Sequence, residues 1–233
     1  MSAPRMVIVG GPSGAGKSTV FSIYDMDGVA PFGTDDYCAA LNGRRLGRQS
    51  PVYAGIPPDI RLLGGTALQK FIGDNIAARR SFTFETTLRE ITFEQARRAA
   101  ASGFRVEMLF VAAGPVEEHI ERVKIRADAG GHSASEGSLR EIYGRGMAFL
   151  VTAFEENRRG NIDTLSVYHN PRKKADKGGV SQPTLIIQMA HGYPDLTKGI
   201  AQVPPPWFQA AVRGTDFELE KLRGLDVRSS VVK

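Results

Sequence analysis

The chain has 233 residues and a single cysteine, Cys38. One thiol cannot close an internal disulfide and provides no thiolate pair for a structural metal. Histidine is also scarce, with four residues, His119, His132, His169 and His191, and none has companion ligands at metal-binding spacing. No apolar run approaches the ~20 residues of a membrane span. The opening residues carry no apolar signal-peptide core. These absences argue against a disulfide scaffold, a transition-metal centre and a membrane partner, and lead us to expect a cytoplasmic protein. Charge of one sign is modest too: the net charge is +5. The basic clusters Arg44-Arg45, Arg97-Arg98 and Arg172-Lys173-Lys174 lack the density and interleaved aromatics of a nucleic-acid groove. They read as solvated surface, and no nucleic-acid partner is expected.

What is present is a phosphate-binding loop. The run Gly11-Pro12-Ser13-Gly14-Ala15-Gly16-Lys17-Ser18 matches G-x-x-x-x-G-K-[ST] at every fixed position. Residues 6–9 read as a buried strand before it, and residues 19–24 as a helix after it. The glycines let the backbone curl so that successive N–H groups converge on a phosphate at a helix N-terminus. Lys17 would reach the outer phosphates, and the Ser18 hydroxyl would sit on Mg²⁺.

Beyond the loop, strand and helix patterns alternate as in βαβ units. Strands are expected near residues 31–34, 82–86, 104–112, 165–168 and 185–189. Helices are expected over 59–80, 93–102, 115–129 and 135–159, with Pro115 as the first residue of its helix. Residues 42–58, rich in Gly, Arg and Pro, read as an irregular insertion, and residues 170–183 as a loop. Trp207 and Phe208, beside three prolines, are expected to pack the tail, with a further helix after them. The fold class is therefore α/β, a P-loop NTPase with an open, mainly parallel sheet and helices on both faces. Residues 1–195 are expected to form the domain, with 196–233 a C-terminal helix and tail.

A P-loop serves kinases, GTPases, motors and ATPases alike, so other residues must decide. Phosphoryl transfer needs a carboxylate for the acceptor's proton, Mg²⁺, and cations for the charge in transit. Ligands of an open α/β sheet lie at the carboxyl ends of the strands, where Asp35-Asp36 and Glu85 fall. Asp36 is the candidate base, a helix N-cap being the alternative role. Glu85 with Thr86, Thr87 and Arg89 reads as a polar acceptor pocket; the alternative is a polar residue on a half-buried strand. Arg122 and Arg126, four apart, share a helix face. Gly130-Gly131-His132 and then Arg140 and Arg145 follow. A helix–glycine–helix element with inward arginines has the form of a kinase lid; a solvated face paired to Glu118 and Glu121 is the alternative.

These motifs occur in an order that resembles the zeta-toxin-like P-loop kinases: the loop, Thr34-Asp35-Asp36, Phe84-Glu85-Thr86-Thr87-Leu88, Arg122 to Arg126, and Gly130-Gly131-His132. The resemblance extends through Val167-Tyr168-His169-Asn170 and covers roughly residues 4–193. It implies an ATP-dependent kinase with a helical lid, acting on a small hydroxyl acceptor, which in zeta toxins is UDP-N-acetylglucosamine. It places the P-loop lysine on Lys17, the Mg²⁺ hydroxyl on Ser18, the catalytic aspartate on Asp36 (Asp35 is one register away), the third-strand glutamate on Glu85 and the first lid arginine on Arg126. A protein antitoxin as partner is implied by the resemblance alone. Two positions depart from the pattern: Thr34 stands where an asparagine is usual, and Ile142 replaces the arginine usual before Tyr143. The second lid arginine then passes to Arg140 or Arg145, and we take Arg145.

The expected protein is thus a kinase that binds ATP (or GTP) with Mg²⁺ on Gly11, Pro12, Ser13, Gly14, Ala15, Gly16, Lys17, Ser18, Thr19 and Arg122. Asp36, Lys17, Arg126 and Arg145 would act on the phosphoryl group, and Glu85, Thr86, Thr87 and Arg89 on a small-molecule acceptor such as a nucleotide sugar. The rivals are an ATPase or switch without an acceptor, a nucleic-acid-end kinase relying on Arg44, Arg45 and Arg48, and a degenerate nucleotide binder.

Overall fold

The computed structural model describes residues 2–131, 134–171 and 182–225. His132, the basic cluster at 172–174 and the last eight residues lie outside that set. The apolar opening segment forms β1 (Arg5–Gly10), followed by the loop and α1 (Lys17–Val20). Next come β2 (Ala30–Phe32), α2 (Thr34–Arg45), α3 (Pro58–Ala77) and β3 (Phe82–Thr86). Then α4 (Glu90–Ala101), β4 (Arg105–Ala112), α5 (Val116–Asp128) and α6 (Glu136–Arg158) follow. The chain continues through β5 (Thr164–His169), β6 (Thr184–Ala190), β7 (Tyr193–Pro194), α7 (Pro206–Val212) and α8 (Leu219–Arg223).

The strands form one seven-stranded sheet in the order β2-β3-β1-β4-β5-β6-β7. The first five of these run parallel, and β6 and β7 are antiparallel additions at one edge. β1 therefore lies at the centre of the parallel part, between β3 and β4, and is buried from Met6 onward. A strand enclosed on both faces must be apolar throughout, which is why Met6-Val7-Ile8-Val9 reads as a continuous run. The order reverses beside β1, and the carboxyl ends of β1, β2 and β3 open onto one crevice, the place where ligands bind in such sheets.

Four expectations change. The helix after the loop is a single turn. Phe21 leaves it at φ −132°, ψ 78°, its ring packing 4.7 Å from that of Tyr168, and the Ser22 hydroxyl then accepts from the Tyr24 amide to start a 3₁₀ turn over Ile23–Asp25. Such local side-chain capture of the backbone competes with helix. The second is α2, which runs on to Arg45, so the irregular segment is shorter; Asn42 Nδ2 staples it by donating to the carbonyls of Val52 and Ala54 at 3.0 Å. The third is Pro115, which caps α5 rather than occupying its first turn. The fourth is β7, which the sequence reading lacks. At the other end, Trp207, Phe208 and Phe217 are buried in the main core, with Phe217 stacked 4.8 Å from Phe154 of α6. Among the described residues no helix is long and apolar enough to cross a membrane.

Candidate active site

The loop leaves β1 at Gly10 and re-enters helix at Lys17, with Gly16 left-handed at the N-cap. Gly14 has φ +79°, and a Cβ there would run into the backbone of His119, so only glycine fits. Two distant side chains hold the loop from behind. Asn170, buried just after β5, donates from Nδ2 to the Ala15 carbonyl at 2.9 Å. His119 of α5 lies 2.9 Å through Nδ1 from the Ser13 carbonyl, and its Nε2 accepts from the Ala113 amide at 3.1 Å. A carbonyl on one side and an amide on the other require a neutral ring protonated on Nδ1.

Burial is the main reason the His119 pKa falls to about 4, with the cations of Arg122 and Lys17 adding to it against the bond to Ser13. The folded value is below the ordinary 6.5, so His119 contributes stability that is complete above about pH 6.5. As pH falls from about 6.5 to about 4 the unfolded chain takes up the proton first, at a cost near 3 kcal/mol. Urea unfolding across this window should show that loss, and His119→Gln should flatten it.

On the cavity side, Lys17 Nζ donates to the carbonyls of Gly11 (2.9 Å) and Pro12 (3.1 Å). Desolvation lowers its pKa, opposed by Glu85 and Asp35. Ser18 Oγ donates to Glu85 Oε2 at 3.0 Å, and burial raises the Glu85 pKa against the pull of Lys17 and that bond. The hydroxyl and carboxylate supply hard oxygen donors of the kind Mg²⁺ takes one or two of, the rest coming from phosphates and water. No cluster of three His, Cys, Asp or Glu among the described residues could hold a metal by itself.

Asp36 lies in the first turn of α2, while the N-cap is Gly33, so the capping role does not fall to it. Its two carboxylate oxygens are each engaged by a phenol: Tyr24 donates to Oδ2, and Tyr53 donates to Oδ1 at 2.7 Å. The Tyr53 pKa is pushed up to about 12, chiefly by that hydrogen bond, and Tyr24 is raised further, chiefly by burial. A cleft of about 1060 Å³ unites Lys17, Ser18, Asp35, Asp36, Glu85 and Arg126. Ser13, Gly14, Gly16, Thr19, Thr86, Thr87, Arg89 and Arg122 also line it. Gly11, Pro12 and Ala15 lie buried beneath the loop and shape it from below.

The arginines expected in a lid divide. Arg126 reaches the cleft, and its charge acts on Lys17. Arg122 lines it too, but is committed to Glu118 at 2.5 Å and to the Asn170 carbonyl at 2.8 Å, so it also braces the residue that braces the loop. Arg145 does not enter. It is exposed and 3.5 Å from Glu141. Ile142 lines the cleft, and Gly146 packs on Pro12, so that side of α6 approaches the loop without a cation. Arg140 pairs on the surface with Glu117 and Glu136 at 3.0 and 2.9 Å. Sequence reasoning missed Tyr24, Tyr53, His119 and Asn170 as site residues. Only Asn170 left a signal there, as the end of a quoted motif.

Residues 1–175 match the zeta toxin family. The chain belongs to that family. No curated protein matches it. Two solved structures share the fold at low identity. One is the PezAT chromosomal toxin–antitoxin system of Streptococcus pneumoniae, at 12% identity and TM-score 0.54, covering 96% of this chain and 85% of that one. The other is AvrRxo1-ORF1:AvrRxo1-ORF2, at 12% identity and TM-score 0.62; a form with ATP gives 11% and 0.62. This zeta toxin family member covers 61% of the AvrRxo1 chain and 84% of its own length in that match. Family membership supports nucleotide binding and phosphotransferase chemistry, and the cleft supplies the groups that such chemistry needs.

Proposed function

We propose that this chain is a kinase that moves the γ-phosphate of ATP (or GTP) to a hydroxyl of a small metabolite, a nucleotide sugar such as UDP-N-acetylglucosamine being the first acceptor to try. The observation that carries this reading is the gathering of Lys17, Ser18, Glu85, Asp36 and Arg126 around one cleft. The loop amides and Lys17 hold the phosphates, and Asp36 takes the acceptor hydroxyl's proton. Lys17 and Arg126 stabilise charge on the phosphoryl group as it moves. Ser18 and Glu85 would hold Mg²⁺, which neutralises phosphate charge when bound.

The cleft lining also mixes apolar Leu68 and Ile91 with Arg61, Arg89 and the amides of Gln69 and Gln95, the latter two joined at 2.5 Å. That mixture favours a metabolite with a polar body. The basic cluster that would serve a nucleic-acid end lies at the other end of α2, about 13 Å from Asp36 at 1.5 Å per residue, and Arg45 is paired with Asp59. A protein antitoxin as partner is part of the proposal on the strength of the family and of the pneumococcal toxin–antitoxin system. Cytoplasmic location belongs to it as well.

Incubation with γ-labelled ATP, Mg²⁺ and a metabolite panel, read by mass spectrometry of the products, tests the acceptor class. A phosphorylated small molecule is expected. Inorganic phosphate as the sole labelled product would favour the ATPase reading.

A further inference from the structure

The two hydroxyls that engage Asp36 belong to the protein itself. Tyr24 and Tyr53 both donate to the carboxylate, but they differ in place. Tyr24 lines the cleft that Lys17, Ser18 and Glu85 also line, and Tyr53 does not. The Tyr24 residue is 57% exposed, yet its backbone is fixed. Phe21 packs on Tyr168 three residues before it, Ile23 is buried next to it, and Ser22 Oγ accepts from its amide at 3.3 Å. Gly33 keeps the contact possible, because a Cβ there would intrude on both the Tyr24 hydroxyl and the Asp36 carboxylate. A phenol held on the candidate base, in the cleft that holds the phosphate loop, stands where an acceptor hydroxyl has to stand.

We infer that Tyr24 is a phosphoryl acceptor, and that the protein phosphorylates it in cis when no metabolite displaces it from Asp36. The inference rests on the kinase reading above. The bond between the γ-phosphorus and the bridging oxygen of ATP breaks, a bond from Tyr24 Oη to that phosphorus forms, the phenolic proton passes to Asp36, and ADP leaves. A phenol is protonated at neutral pH, so the step requires the base. The product sets a phosphate dianion beside Asp36 and Glu85, where it blocks the acceptor end. The reaction is therefore self-limiting, and a turned-over acceptor suppresses it by taking Tyr24's place.

The test is incubation of the full chain with γ-labelled ATP and Mg²⁺ without acceptor, followed by peptide mass spectrometry, with metabolite phosphorylation measured separately. A single phosphate on Tyr24, absent in Asp36→Asn and Tyr24→Phe, with the labelled fraction growing at a rate constant independent of protein concentration, is the expected result. Label elsewhere, label that survives Asp36→Asn, or a rate constant for the labelled fraction that rises with protein concentration overturns the inference. So does an unlabelled protein that phosphorylates a metabolite, which leaves the kinase reading standing. Neither label nor metabolite product overturns both.

Discussion

Lys17→Ala should lower phosphoryl transfer by about a hundredfold to a thousandfold, the loss that follows removal of one preorganised charge stabiliser, and should weaken nucleotide binding as well. Among the described residues Lys17 bonds to two loop carbonyls, at 2.9 and 3.1 Å, and pays a desolvation penalty where it stands. Its removal therefore takes away a desolvated cation along with two bonds to the loop. The loop keeps its shape through Asn170 and His119, which hold the Ala15 and Ser13 carbonyls. The thermal midpoint should stay near the wild-type value while single-turnover transfer collapses. A matching loss of fold by circular dichroism would show that Lys17 is structural.

Asp36→Asn should spare ATP affinity and reduce transfer by about a hundredfold to ten-thousandfold, the range for a positioned general base. The substitution keeps the shape of the side chain. One amide oxygen still accepts from a tyrosine hydroxyl, and the other hydroxyl can turn to accept from the amide nitrogen, so Tyr24 and Tyr53 stay in place. What is lost is the capacity to take a proton. Titration with ATP alongside single-turnover kinetics separates the two effects. Equal losses in both would assign Asp36 to nucleotide binding.

The phosphate loop was legible because its requirements are local: glycines, a lysine and a serine within eight consecutive positions, after an apolar run that only a buried strand explains. Asp36 and Glu85 were legible from their places at strand ends, which an open parallel sheet turns toward one crevice. What supports the loop was not. His119 and Ser13 are 106 positions apart, Asn170 and Ala15 155 apart, and no periodicity records contacts that only the assembled sheet creates. Tyr24 was hidden because residues 19–24 read as helix, whereas Ser22 captures the backbone and turns the phenol onto Asp36. Tyr53 was hidden in a segment read only as irregular. Arg145 was expected in the cleft, but it is exposed beside Glu141, while the next residue, Gly146, faces Pro12 of the loop.

The most direct test of the central claim is ADP formation with Mg²⁺ and ATP by the wild type and Asp36→Asn, first without an acceptor and then with UDP-N-acetylglucosamine and the rest of the metabolite panel. Our account predicts a large rise in the wild type when the right metabolite is added, and no such rise in Asp36→Asn. ADP formation that needs no acceptor and survives Asp36→Asn would contradict it, leaving a nucleotide hydrolase on the same fold.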